Sequence, residues 1–165
     1  MAIEEFKKIQ ISKPGGYEQL KIVKDDCPQP KDDEVLVRIK AVGINYADCC
    51  VRWGVYESAK QFVGWPITPG FEFAGEVIAL GKDCQQFEIG ERVFGINLFN
   101  SYASHICVKE SRLQICPNKW TYSQAAGFFA THMTAYHGLL QNFVYREGMD
   151  ILIHSAAGGV GTALL

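Results

Sequence analysis

Apolar and polar residues alternate along much of the first two thirds of the chain, and turn residues interrupt the alternation at short intervals. The run Glu34-Val35-Leu36-Val37-Arg38-Ile39-Lys40-Ala41-Val42 sends side chains of unlike polarity to opposite sides, as a half-buried strand requires. Phe73 to Gly81 is a second strong strand. Ile9–Ile11, Leu20–Val23, Arg92–Gly95 and Ser104–Val108 predict shorter ones, set off by Pro14-Gly15-Gly16 and by the loop from Asp25 to Pro30. Short strands with no long helix among them predict a barrel or sandwich.

Two segments carry a helical period instead. Asn45 to Arg52 predicts a short helix with Asn45 as its N-cap. Ser123 to Leu140 predicts one or two helices, with Ser123 as cap and Gly127 as the weak point. The shift in character near Trp120 places a domain boundary there, giving a strand-rich unit over 1–120 and a second unit over 121–165. Beyond Gly148, Ile151-Leu152-Ile153 predicts a strand, followed by a glycine turn and the first turn of a helix at Thr162-Ala163-Leu164.

That strand-turn-helix order is how a dinucleotide-binding unit opens. Ala156-Ala157-Gly158-Gly159-Val160-Gly161 fits Gly-x-Gly-x-x-Gly with alanine in the first place. Glycine matters because a Cβ would hold the backbone away from a pyrophosphate seated on the helix N-terminal amides. The plainer alternative is a tight turn that binds nothing. A complete strand-helix-strand unit needs on the order of thirty residues, and only about half of one precedes Leu165.

Composition narrows the partners. The chain has 165 residues, 48% hydrophobic and 21% charged, with a net charge of −2 and no basic cluster, which argues against nucleic acid or an anionic membrane. Its first residues carry acidic side chains and no apolar signal core, and no apolar run approaches the roughly twenty residues that span a bilayer. A cytoplasmic protein is expected. The six cysteines include no Cys-x-x-Cys pair, and adjacent Cys49 and Cys50 suit no tetrahedral metal site, so reduced, packed thiols are expected. The four histidines lack ligand partners at suitable spacing. His105 and His154 fall on predicted strands, and each histidine reads as a surface or hydrogen-bonded one. Trp53, Trp65 and Trp120 read as packing anchors.

The series Gly43-Ile44-Asn45-Tyr46-Ala47-Asp48, Gly54-Val55-Tyr56, Pro66 to Val77, Gly90-Glu91-Arg92-Val93, Thr134-Ala135-Tyr136 and the final glycine turn resembles the medium-chain dehydrogenase/reductase superfamily. Within it, the chain is similar to the zinc-independent quinone oxidoreductase branch, including zeta-crystallin-like and VAT-1-like proteins. The resemblance implies a mainly β fold with an α/β start: a GroES-like β-barrel over 1–120, then the beginning of a Rossmann domain over 121–165. It also implies the N-terminal half of a chain about twice as long. Zinc-binding relatives place cysteine and histidine where Asn45 and Phe71 stand here, and the four-cysteine zinc loop is unmatched, so no metal is expected.

By the same resemblance, Asn45 and Tyr56 are the catalytic candidates, donating hydrogen bonds to a carbonyl that gains negative charge. Thr134, Ala157, Gly158, Gly159, Val160 and Gly161 are the cofactor candidates. The implied cofactor is NADPH, with NADH left open, and the implied substrate is a quinone or an α,β-unsaturated carbonyl. Plainer roles stand beside these: a helix cap for Asn45, packing for Tyr56, and a bond to its own helix for Thr134. Asp48 is expected to hold the Asn45 loop through backbone hydrogen bonds. The piece in hand is expected to lack activity by itself. The alternative from another class is a naturally truncated, non-enzymatic β-barrel interaction protein that forms a homodimer through exposed apolar surface of 121–165.

Overall fold

The computed structural model describes residues 5–144 and 146–165. The first four residues, read above as unlike a leader, lie outside that range. The chain runs through β1 (Phe6–Ile11), β2 (Leu20–Asp25), β3 (Glu34–Val42), α1 (Tyr46–Trp53), α2 (Glu57–Phe62), β4 (Glu72–Leu80), β5 (Arg92–Ile96), β6 (His105–Lys109), β7 (Leu113–Ile115), α3 (Tyr122–Ala126), α4 (Phe129–Tyr136) and α5 (Gly159–Leu164). The strands predicted over the first two thirds of the chain form, and the architecture is mainly β, with α1 and α2 between β3 and β4 and the remaining helices towards the C-terminal end.

Five strands make one antiparallel sheet in the order β6-β3-β4-β5-β7, while β1 and β2 pair as a hairpin. Bridges from Lys8 to Ala103 and from Ile11 to Ile67 fasten the hairpin to the rest. Two register shifts within β3 bend the sheet centre. One face buries Val35, Val37, Phe73, Val77, Val93, Ile106, Val108 and Leu113 together. Each such side chain contributes roughly 1.5–3 kcal/mol on leaving water. The alternation in β3 and β4 made that face legible.

On the other side, α3 docks through Ala125 and Ala126 against Ala74, Phe94 and Cys116. Polar contacts fix its angle. Glu76 accepts from Arg38 Nη2 at 2.7 Å and from the Tyr122 hydroxyl at 3.1 Å, and Arg92 lies over the Tyr122 ring at 4.6 Å.

Several local expectations need correction. The cap of α3 is Thr121, not Ser123: its side chain accepts from Gln124 N at 3.2 Å while the Gln124 side chain accepts from Thr121 N. Threonine with glutamine three residues on closes a full capping box, which Ser123 cannot. Ile151–Ile153 forms no ladder, because a strand exists only against a neighbour and no strand lies beside it among the described residues. His154 falls in the following turn rather than on a strand. The helices α2 and β7's three-residue strand were not foreseen. Gly127 does separate α3 from α4.

Candidate functional site

The β3–α1 junction carries Asn45. Asn45 N donates to Asp48 Oδ2 at 2.8 Å, and Asp48 N returns a bond to the Asn45 carbonyl at 3.0 Å, which closes the first turn of α1. Asp48 also accepts from Gly70 N at 3.1 Å and from the Tyr102 hydroxyl at 2.9 Å. The loop-holding role expected for Asp48 is what its contacts show. Burial pushes its carboxyl above the usual range, against the pull of those three donors.

The Asn45 side chain turns inward. Its Nδ2 donates to Glu72 Oε1 at 2.9 Å, and Glu72 Oε2 accepts from Ala130 N at 2.8 Å. Glu72 is 2% exposed. Ala130 lies in the first turn of α4, where backbone N–H groups have no carbonyl of their own helix to bond, and a carboxylate suits that end. One buried carboxylate therefore ties the Asn45 loop to the helix that bears Thr134.

A cleft of about 360 Å³ opens above this bridge, lined by Asn45, Tyr46, Ala47, Tyr56, Phe71, Ile96, Ala130, Met133, Thr134 and Val160. Four residues singled out from sequence thus meet in one place: Asn45, Tyr56, Thr134 and Val160. The Tyr56 ring packs against Phe71 and Phe99 at 5.5 and 6.2 Å, and its hydroxyl has no partner among the described residues. It remains available as a donor. Thr134 differs: its hydroxyl donates to the Ala130 carbonyl at 2.6 Å, so it offers a ligand only lone pairs.

Ala157, Gly158, Gly159 and Gly161 do not line the cleft. Exposed Ala157 and Gly158 form the turn leading to α5, with Gly158 N donating to Ser155 O at 2.8 Å, while Gly159 and the buried Gly161 lie in the first turn of the helix. The amides of Gly159, Val160 and Gly161 open that helix and find no carbonyl one turn back. A Cβ on Gly161 would strike the Ser155 carbonyl and the Ala156 backbone. A Cβ on Gly158 would make only one contact, 3.2 Å from Ser155 O.

Past Thr134 and Val160 a larger apolar hollow of about 560 Å³ extends over Leu139, Phe143 and Ile151–Ile153. Exposed apolar side chains on 121–165 include Met133, Tyr136, Val144 and Leu152. No group of three or more His, Cys, Asp or Glu among the described residues could hold a metal ion. No disulfide joins the six cysteines, and burial pushes the Cys107 thiol up to about 12. No described helix is long and apolar enough to cross a membrane.

Sequence reasoning did not single out Glu72 and Ala130 as site residues. A glutamate inside the apolar run Phe71-Glu72-Phe73-Ala74 was the available signal, since a carboxylate buried there must be hydrogen-bonded.

Residues 31–143 match the alcohol dehydrogenase GroES-like domain. The chain belongs to that family, within the quinone oxidoreductase and VAT-1-like branch of the medium-chain dehydrogenase/reductase superfamily. It is similar to the mouse synaptic vesicle membrane protein VAT-1 homolog-like, 35% identical over 98% of this chain and 38% of that relative. The structure is similar to CurK enoyl reductase, with a TM-score of 0.90 at 30% identity over 98% of this chain and 50% of that one. It is also similar to quinone oxidoreductase of Escherichia coli in complex with NADPH, with a TM-score of 0.82 at 30% identity over 94% and 47%. The chain spans about half the length of these relatives, or less.

Proposed function

We propose that residues 1–165 supply the substrate-side portion of a zinc-independent, NADPH-dependent reductase that transfers hydride to a quinone or an α,β-unsaturated carbonyl. The observation that carries this reading is the convergence of Asn45, Tyr56, Thr134 and Val160 on one cleft. In this reading 1–120 forms the substrate-binding unit and 121–165 begins the cofactor-binding unit, in the cytoplasm.

The open glycine turn fits a dinucleotide. Its first-turn amides would face the pyrophosphate, and Gly158 would admit it. NADPH, when bound, would supply the hydride. The chain's own work is electrostatic. As hydride arrives at the substrate, charge gathers on its carbonyl oxygen, and the Tyr56 hydroxyl and the second Nδ2 hydrogen of Asn45 are the donors to stabilise it. Removing one donor of this kind costs about 2.7–4 kcal/mol in the transition state. Thr134 can accept a hydrogen bond from a cofactor amide. Glu72 holds Asn45 and α4 in register.

NADPH fluorescence titration tests the reading. The isolated 165 residues should bind only weakly, with no saturation below about 100 µM, an affinity near −5.5 kcal/mol, and should not oxidise NADPH above background. Tight binding would overturn the inactivity of this piece, and binding unaffected by Gly158→Val would overturn the glycine turn as the seat. A second reading, a non-enzymatic protein that dimerises through 121–165, draws on the exposed apolar residues there. A concentration-independent monomer in sedimentation would rule it out.

A further inference from the structure

The substrate cleft has a neighbour. A hollow of about 250 Å³ is lined by Phe71, Ile96, Asn97, Leu98 and Arg112, and Phe71 and Ile96 also belong to the cleft. The two spaces share a wall. The second is apolar except for Asn97 and Arg112.

Those two polar groups are held in a set arrangement. Arg112 Nη1 donates to Asn97 Oδ1 at 2.5 Å, and Asn97 Nδ2 donates to the Phe99 carbonyl at 3.1 Å. The amide of Asn97 is thereby oriented, oxygen toward the guanidinium. The loop that carries it is itself fixed. Asn97 N donates to Phe71 O at 2.8 Å and Asn100 N to Thr68 O at 2.9 Å. Phe99 and Asn100 both lie in the left-handed region, at φ 72° and 68°. Such a conformation costs of order 1–3 kcal/mol per residue and persists only where the surroundings over-determine it. Here the fully buried Phe99 ring, packed on Tyr56 and Phe71, provides that constraint.

Arg112 has no carboxylate within ion-pair distance among the described residues. The nearest in sequence, Glu110, is engaged elsewhere, accepting from Gln85 N and Gln86 N at 2.8 and 2.7 Å. The solvent-exposed guanidinium, clamped on one side by a neutral amide and with no carboxylate partner among the described residues, presents the rest of its donor fork to an incoming anion. Phe71 and Ile96 line both the hollow and the cleft, and Leu98 lines the hollow beside Arg112.

We propose that this hollow is an anion subsite in which Arg112 binds the terminal carboxylate of an elongated carbonyl substrate. The apolar body of that substrate would cross Phe71, Ile96 and Leu98, and its reacting carbonyl would lie between Asn45 and Tyr56. The proposal rests on reading the cleft as the substrate site, and it narrows the substrate class to amphipathic enones or quinones with an anionic tail.

The test uses an ω-carboxylated medium-chain methyl enone and its methyl ester, titrated into the full 165-residue chain with affinity and amide chemical shifts followed together. Wild type should bind the acid about five- to tenfold more tightly than the ester at low salt, a margin that shrinks as salt rises. Arg112→Gln should bring the ratio to about one while leaving the ester affinity unchanged. Asn97→Ala, which frees the guanidinium from its clamp, should lower the ratio without unfolding the protein. Equal affinity for acid and ester in wild type, or a ratio indifferent to Arg112→Gln, overturns the subsite while shifts at Asn45 and Tyr56 still uphold the cleft. Ligands that bind without shifting Asn45 or Tyr56 overturn the reading of the cleft itself, and the subsite with it.

Discussion

Asn45 and Glu72, 27 positions apart in the chain, are joined by a hydrogen bond of 2.9 Å from the Asn45 amide to a carboxylate that also holds Ala130 N. The bond couples a loop of the β-rich unit to the first turn of α4. Through the Ala130 carbonyl it continues to Thr134. The orientation of the cleft's amide and the placement of its threonine therefore share one buried anchor.

Glu72→Gln tests that anchor. Two donors, Asn45 Nδ2 and Ala130 N, face the carboxylate, and glutamine offers a single carbonyl oxygen in its place. One donor is left facing an NH2 group. The expected loss is about 1–3 kcal/mol in urea unfolding. Asn45→Ala in the same background should then cost less than it does alone, because the partner is already compromised.

Tyr56→Phe should separate stability from ligand binding. The hydroxyl has no partner among the described residues, so unfolding free energy should stay within about 0.5 kcal/mol of wild type. Affinity for a quinone or enone should fall by about five- to tenfold, the worth of one hydrogen bond to the carbonyl. A stability loss well above that margin would mean that the hydroxyl serves the fold.

The glycines of the final turn should respond differently to alanine. Gly161→Ala drives a methyl into the Ser155 carbonyl and should loosen residues 155–164, seen as faster amide exchange there. Gly158→Ala meets a single 3.2 Å contact that a small shift of the Ser155 carbonyl relieves, and should raise exchange far less.

Two carboxylates should give pH dependences of opposite sign. Hydrogen bonding from Arg38 holds Glu76 below its usual range. Its contribution is present above about 4.5 and lost as pH falls through the lowered folded value. Asp48 is raised by burial, so the folded protein takes up its proton first. That contribution is present below about 3.8 and lost as pH rises through the raised folded value. Unfolding measured from about pH 3 to 7 should show Glu76→Gln removing the first slope and Asp48→Asn the second.

Much of this was legible from local pattern. The alternation in Glu34–Val42 and Glu72–Leu80 needs only two-residue periodicity, and Asn45 before an apolar-periodic run marks a helix start. The pairing of Asn45 with Glu72 was not legible, because it depends on a contact across the fold that no short-range spacing encodes. The missing ladder at Ile151–Ile153 makes the same point from the other side: an apolar run favours a strand, but a partner is what makes one. Thr121 displaced Ser123 as a cap because the reciprocal glutamine sits three residues after it. The Asn97–Arg112 clamp depends on two successive left-handed residues, Phe99 and Asn100, neither a glycine that would have announced the turn.

The central claim is that carbonyl substrates bind between Asn45 and Tyr56, and a quinone titration followed in amide and side-chain NH2 resonances tests it most directly. Saturable shifts should centre on the Asn45 side-chain amide, Tyr56, Ala130 and Thr134, and should diminish together in Tyr56→Phe. Shifts confined to other surfaces, or unchanged in that variant, would contradict the account.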